Sequence, residues 1–114
     1  LEGRSTDLII SGGENVYPKE IEICLDDFDT VLEAAVIGVP HPDLGEAVVA
    51  VLVADGSLSI QELRDYVVEC LTSLKQPKEY FVISELPRNT MGKVQKSKLR
   101  ASYSALFTKG IEGN

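Results

Sequence analysis

A stretch of twenty residues decides the fold of this chain: AAVIGVPHPDLGEAVVAVLV, residues 34–53. It holds two apolar runs, 34–39 and 47–53, that are rich in β-branched side chains. Pro40-His41-Pro42 separates the runs and disfavours regular structure, and Asp55-Gly56 forms a turn signal after the second run. Short continuous apolar runs bounded by turn residues are typical of buried strands. We therefore predict two neighbouring buried strands, with a loop that begins at Pro40.

The segment before this stretch predicts a hairpin and a helix. Residues 7–10 and 14–17 carry apolar side chains on either side of Ser11-Gly12-Gly13, which indicates a tight β-hairpin. Pro18 suits the first position of a helix, because its missing N–H is not needed there. An apolar stripe at helical spacing follows, made of Ile21, Cys24, Leu25 and Phe28.

The segment after this stretch predicts a second helix, a third strand and a terminal helix. Ser59 and Glu62 form a capping-box pattern, in which each side chain accepts a hydrogen bond from the other's backbone N–H. The apolar stripe behind the cap is Ile60, Leu63, Val67, Cys70, Leu71 and Leu74. Residues 80–83 indicate a short strand, and Leu99, Tyr103 and Leu106 indicate a short helix. The order predicts an α+β domain, a β-hairpin followed by a small three-stranded sheet covered by helices.

The net charge of −7 argues against general binding to nucleic acids. Its distribution is uneven, because residues 1–33 hold nine acidic and two basic side chains, whereas residues 88–100 hold five basic and no acidic ones. A cationic segment on an acidic domain suggests a small anionic ligand or a charged partner surface. Charge alone favours the simpler interpretation of a solvated helix face.

The cysteine and histidine content predicts no metal site. Cys24 and Cys70 lack the spacing of metal ligands, so we expect two reduced thiols buried in the core, which suggests a cytoplasmic protein. His41 lies between two prolines and is expected to shape its loop rather than act as a base. No apolar run approaches the roughly 20 residues that cross a bilayer. The chain starts at Leu1 without an initiating Met or a signal-peptide pattern, so we expect a piece of a longer protein.

Two longer motifs carry the chemistry: GRSTDLIISGGENVYPKEIE at residues 3–22 and LPRNTMGKVQKSKLR at residues 86–100. They resemble two signature motifs of the adenylate-forming superfamily, which comprises acyl-CoA synthetases, luciferases and peptide-synthetase adenylation domains. Residues 34–46 resemble the strand between those motifs. The resemblance implies a C-terminal lid domain at residues 7–107, which completes an active site in a large N-terminal domain that this chain lacks. Residues 1–6 would be the hinge end of the linker to that domain, and 108–114 a flexible tail.

Lys93 is the candidate catalytic residue. Gly92 permits a left-handed backbone beside it, Pro87 stiffens the start of the loop, and Arg88 and Thr90 are expected to shape it. A lysine ammonium is a compact charge that can pair with a carboxylate and the α-phosphate as negative charge builds up. By resemblance, Lys93 is the lysine of the adenylation half-reaction. The remaining cations of the motif are expected to be surface charges: Lys96, Lys98 and Arg100.

The first motif implies three further roles by resemblance. Arg4 matches the arginine that helps to hold the nucleotide ribose. Thr6 matches the hinge position, where many relatives place Asp or Lys. The hairpin matches the loop that enters the active site for thioester formation, and the residues concerned are Ser11, Gly12, Gly13, Glu14 and Asn15.

The resemblance implies a two-step reaction in which ATP and a carboxylic acid form an acyl-adenylate, and CoA then converts the adenylate into acyl-CoA and AMP. Mg²⁺ would accompany ATP, and this chain alone would be inactive. Both motifs look most like malonyl-CoA synthetases, with fatty acyl-CoA ligases close behind. Two alternatives stay open, namely a peptide-synthetase lid that docks a carrier protein and a non-catalytic interaction module.

Overall fold

The structure, a computed structural model, describes residues 8–107 apart from the side chain of residue 74. Arg4 and Thr6 therefore lie outside the described residues. The elements, in chain order, are β1 (Ile9–Ser11), β2 (Glu14–Val16), α1 (Pro18–Asp26), β3 (Val31–His41), β4 (Gly45–Ala54), α2 (Ile60–Cys70), a 3₁₀ turn (Ser73–Lys75), β5 (Glu79–Val82) and α3 (Lys96–Tyr103). This order confirms the α+β class and the hairpin at the start.

The five strands form one mixed sheet around β4. Strand β3 pairs antiparallel with β4 along its whole length, from Val31 opposite Ala54 to His41 opposite Gly45. Strand β5 runs parallel to β4, and β1 joins the start of β4 where Ser11 pairs with Gly45. The order is β2-β1-β4-β3 with β5 also beside β4. The hairpin is thus continuous with the sheet rather than a separate unit before it.

The sheet is buried on both faces, which explains why its strands are continuous apolar runs. On one face, α1 and α2 pack over a cluster that includes Ile9, Val16, Ile21, Cys24, Leu25, Val31, Val36, Val48, Ala50, Leu52, Leu63, Val67 and Leu71. On the other face, α3 and the segment before it pack over Ala35, Ile37, Val39, Val49 and Val51 through Leu86 and Leu99. We call these the α1–α2 face and the α3 face.

Helix starts follow the local signals in the sequence. Pro18 is the first residue of α1, as predicted. The Ser59 side chain caps α2 by accepting a hydrogen bond from the backbone N–H of Glu62 at 3.3 Å. This contact satisfies one of the N–H groups that a helix start leaves without a partner.

The predicted loop at Pro40 is wrong, because β3 continues through Pro40 and His41. Proline is tolerated there since β3 is the edge strand of the sheet. The His41 imidazole Nδ1 accepts hydrogen bonds from the backbone N–H groups of Asp43 (3.0 Å) and Leu44 (3.2 Å). Gly45 resumes the strand with a φ of +82°. His41 therefore shapes the turn between β3 and β4, which confirms its predicted structural role.

The prediction that both cysteines are buried is wrong for one of them, because Cys24 is buried and Cys70 is exposed. The core stripe of α2 consists of Leu63, Val67 and Leu71, spaced four residues apart, so Cys70 lies to one side of it. Burial, together with a hydrogen bond to Cys70, raises the pKa of the Cys24 thiol to about 12. The thiol of Cys24 therefore stays neutral at physiological pH.

Candidate active-site loops

The hairpin turn consists of two glycines, both in the left-handed region. Gly12 has a φ of 60° and Gly13 a φ of 82°, between Ser11 and Glu14, which pair across the strands. Two successive left-handed residues are the requirement of a type I′ hairpin turn, and glycine meets it without strain. The tip, including Glu14 and Asn15, is exposed, whereas Ser11 is only 2% exposed and lies inside the sheet.

Strand β4 anchors this hairpin by contacts that sequence reasoning did not identify. The backbone N–H of Gly12 donates to the carbonyl of Leu44 at 2.9 Å. One carboxylate oxygen of Glu46 accepts a hydrogen bond from the backbone N–H of Ile10, also at 2.9 Å. Strands β1 and β4 are paired only at Ser11 and Gly45. At the next residue of β1, the Glu46 side chain serves as the hydrogen-bond acceptor that a backbone carbonyl of β4 would otherwise provide. These contacts hold the hairpin tip against the sheet.

Gly38 in β3 leaves space for Ile9 of the hairpin. A Cβ atom at Gly38 would lie 3.0 Å from both γ carbons of Ile9 and 3.3 Å from the carboxyl carbon of Glu46. Its backbone is not left-handed, so the requirement for glycine comes from space and not from φ. The close approach of β3 to Ile9 therefore also supports the hairpin.

Lys93 follows a tight turn that is built around Asn89. The Asn89 side-chain oxygen accepts hydrogen bonds from the backbone N–H groups of Met91 (2.9 Å) and Lys93 (3.0 Å). The Asn89 backbone also donates to the Lys93 carbonyl at 2.9 Å and accepts from the Gly92 N–H at 3.0 Å. Gly92 adopts a φ of +85°, in the left-handed region that a glycine permits at this position. Asparagine favours turns of this kind, a signal that sequence analysis did not use.

The base of the turn is closed by contacts between the two chain segments that lead into and out of it. Arg88 and Val94 form an antiparallel bridge, and the backbone N–H of Gln95 donates to the Pro87 carbonyl at 2.8 Å. The Arg88 guanidinium donates to the Gly92 carbonyl at 2.7 Å. This contact confirms that Arg88 shapes the loop.

The Lys93 side chain is exposed at this turn, beside Met91, which is 82% exposed. Within residues 8–107 the structure shows no ion pair to Lys93. The backbone is fixed by Asn89 while the ammonium group faces solvent. The arrangement can therefore present a positive charge to an anion outside this domain.

The other cations of the motif differ in their surroundings. Lys96 forms an ion pair with Glu22 at 2.6 Å, and their side chains are only 19% and 16% exposed. The same Glu22 oxygen accepts the backbone N–H of Val36 at 2.9 Å, at the open edge of β3. The prediction of a surface charge is thus wrong for Lys96, which links α3 to α1 and β3. Lys98 is exposed as predicted, and Arg100 is half-buried.

The hairpin and the Lys93 turn belong to opposite ends of β4. Ser11 of the hairpin pairs with Gly45, whereas Glu33, which contacts Arg88, pairs with Val53. Eight residues at about 3.3 Å each place these two anchor points roughly 26 Å apart. The structure therefore presents the two predicted loops as separate surfaces and does not join them into one site.

The described part of the chain contains neither a cluster of metal ligands nor a membrane-spanning helix. Residues 8–107 contain no group of three or more His, Cys, Asp or Glu side chains placed to hold a metal ion. None of the helices there is long and apolar enough to cross a membrane.

Comparison with known families assigns the chain. The AMP-binding enzyme C-terminal domain matches residues 20–93, a range that contains β3, β4, β5 and the Lys93 turn. This protein belongs to the AMP-binding enzyme C-terminal domain family.

Individual relatives are ligases that act on different acids. The chain is 43% identical over 110 residues to a long-chain-fatty-acid–CoA ligase of Mycobacterium tuberculosis, covering 96% of this chain and 22% of that protein. It is 43% identical over 104 residues to a 2-succinylbenzoate–CoA ligase of Listeria monocytogenes, covering 91% of this chain and 22% of that protein. The ATP-bound MatB of Rhodopseudomonas palustris superposes with a TM-score of 0.86 at 48% identity, covering 92% of this chain and 21% of that one. The chain thus spans about a fifth of the length of these relatives.

Proposed function

We propose that this chain is the C-terminal lid of an ATP-dependent acyl-CoA synthetase, which converts a carboxylic acid, ATP and CoA into acyl-CoA, AMP and pyrophosphate. Family membership and the ligase activities named for the relatives support the proposal. The observation that carries it is the Lys93 ammonium, exposed on a turn whose backbone is fixed by Asn89.

Lys93 serves the adenylation step in this proposal. Attack of the substrate carboxylate on the α-phosphate concentrates negative charge on oxygens that this chain does not hold. A positive charge brought to those oxygens lowers the energy of the transition state more than that of the separated reactants. In this proposal Mg²⁺ accompanies ATP, bound mainly by the large domain.

The hairpin serves the thioester step. Its glycine tip has no side chains that would fill the channel of the CoA pantetheine arm, and a Cβ at Gly13 would meet no atom of residues 8–107 within 4 Å. The roughly 26 Å between the hairpin and the base of the Lys93 turn supports the use of one end of the lid for each step, with rotation between steps. In this proposal Arg4 helps to hold the ribose and Thr6 is the hinge. Residues 1–6 are the hinge end of the linker, 7–107 the lid domain and 108–114 the tail.

The acid substrate is proposed from similarity alone. The resemblance of both motifs to malonyl-CoA synthetases favours malonate, and the 43% identity to a long-chain-fatty-acid–CoA ligase makes a fatty acid the second candidate. We propose a cytoplasmic location as well, because Cys24 and Cys70 are free cysteines, which are typical of reducing compartments.

The test is to separate the two half-reactions in the full-length enzyme. Lys93→Ala should lower ATP–pyrophosphate exchange by roughly 10²–10³-fold, as loss of a transition-state charge does, and leave thioester formation from supplied acyl-adenylate within about twofold. Lys98→Ala, an exposed lysine on α3, is the matched control and should leave both steps unchanged. Equal loss of both steps in the Lys93 variant would refute the assigned role. Loading of a carrier protein but not of free CoA would favour the peptide-synthetase alternative instead.

A further inference from the structure

We propose that Glu33 and Arg88 together position the Lys93 turn for adenylation, an inference that rests on the proposed function of Lys93. We call these two residues the Glu33–Arg88 pair. Arg88 contacts the turn and Glu33 belongs to β3, so the pair connects the turn that carries Lys93 to the sheet. Neither residue is expected to touch substrate.

The two ends of one guanidinium group make this connection. One terminal nitrogen of Arg88 donates to the carbonyl of Gly92 at 2.7 Å, and Gly92 directly precedes Lys93. The other terminal nitrogen contacts a carboxylate oxygen of Glu33 at 2.8 Å. Because the guanidinium is planar and its donors have a fixed geometry, the position of Glu33 restricts the direction of the Gly92–Lys93 peptide.

A β-bulge aims Glu33 towards this contact. Val31 pairs with Ala54 and Glu33 pairs with Val53, so Leu32 is an extra residue in β3 and is 60% exposed. An extra residue changes which face the following side chains point to. Val31 accordingly packs on the α1–α2 face, whereas Glu33 lies beside Val53 and Arg88 with the elements of the α3 face.

The pair itself lies beside an open groove and not in the packed core. A groove of about 680 Å³ opens beside the pair, lined in part by Glu33, Arg88 and Lys98. The side chains of the pair are 43% and 40% exposed, and ion pairs at such exposure contribute little to folding stability. The contact of Arg88 with the carbonyl next to Lys93 therefore points to orientation of the turn rather than to stabilisation of the domain.

The experiment measures each half-reaction in the full-length enzyme with Arg88→Met, Arg88→Lys and Glu33→Ala. Displacement of a reacting group by about 1 Å costs up to roughly 10²-fold in rate, so Arg88→Met should lower the adenylation kcat by about 10–100-fold. We expect Arg88→Lys and Glu33→Ala to give smaller losses, about 3–10-fold, because each keeps one of the two contacts. KM for ATP, the thioester step and Tm should stay near the wild-type values.

Lys98→Met is the matched control, since Lys98 carries the same charge in the same groove but is an exposed residue of α3, outside the turn. A second readout does not depend on activity. Hydrogen–deuterium exchange in the peptide covering residues 86–95 should become faster in Arg88→Met and Glu33→Ala but not in Lys98→Met.

Three results would overturn the inference: wild-type adenylation in both Arg88→Met and Glu33→Ala, equal loss of both half-reactions with a lower Tm, or the same loss in Lys98→Met. If instead Lys93→Ala adenylates normally, the proposed role of Lys93 fails. The exchange rates then still decide whether the pair holds the turn.

Discussion

Replacement of Gly38 by alanine tests whether close packing of β3 against the hairpin holds the thioester loop. The new Cβ would lie 3.0 Å from two carbons of Ile9 and 3.3 Å from the Glu46 carboxyl carbon, closer than ordinary van der Waals contact. Ile9 is 2% exposed and cannot move aside without disturbing the core. Glu46 accepts a hydrogen bond from the backbone N–H of Ile10. The substitution therefore disturbs two contacts of the hairpin together, the packing of Ile9 and the hydrogen bond to Glu46.

The magnitude follows from two opposing effects. Overpacking of a core costs about 1–3 kcal/mol. Removal of a glycine from a strand stabilises by about 0.5–1 kcal/mol through the entropy of the unfolded chain. The net expectation for Gly38→Ala is a loss of about 1–2 kcal/mol, which lowers Tm by roughly 4–16 °C in a domain of this size.

Thermal and urea unfolding of the chain measure this effect, with Gly56→Ala as the control. A Cβ at Gly56 would meet no atom of the described residues within 4 Å, so this variant should be neutral or slightly stabilised. Ile9→Ala removes both γ carbons that the new Cβ would contact. In a double-mutant cycle, Gly38→Ala should therefore cost about 1 kcal/mol less when Ile9 is already alanine. Neutral Gly38→Ala, or strict additivity with Ile9→Ala, would refute the reasoning.

Three further predictions concern the Lys93 turn and the cysteines. Asn89→Ala removes the acceptor of two backbone N–H groups, so the adenylation kcat of the full-length enzyme should fall about 10-fold. Asn89→Asp keeps an acceptor oxygen and should lose less. Equal losses in the two variants would contradict the turn geometry. Cys24 has its pKa raised from 9.0 to about 12, so the folded state binds more protons than the unfolded state between these values, and stability should fall as pH rises from about 9 to 12. Cys24→Ser should flatten that decline in urea titrations, and an unchanged slope would contradict it. Under native conditions a thiol reagent should modify exposed Cys70 before Cys24, which mass spectrometry of the labelled peptides would check.

Local chemistry made several features predictable. Gly12 and Gly13 adopt positive φ because a two-residue hairpin turn requires it, and Gly92 does so beside Lys93. Ser59 caps its helix because its side chain reaches an N–H three residues further along the chain. Each of these depends on a few neighbouring residues, so the sequence contains the whole cause.

Other predictions failed because their cause lies in distant residues. Pro40 remains in a strand because β3 happens to be the edge of the sheet, a fact set by the pairing of all five strands. Lys96 is largely buried because α3 packs where Glu22 of α1 can reach it. Cys70 is exposed because Leu71 takes the core position at the end of α2.

The sequence by itself determined the α+β class, the family and the identity of Lys93 and the glycine tip as candidate residues, because motifs and turn residues act over short distances along the chain. Only the tertiary structure decided that Glu33 meets Arg88 and that Gly38 meets Ile9. These contacts depend on strand register and on one bulge in β3, and a shift of one residue would turn every later side chain to the opposite face.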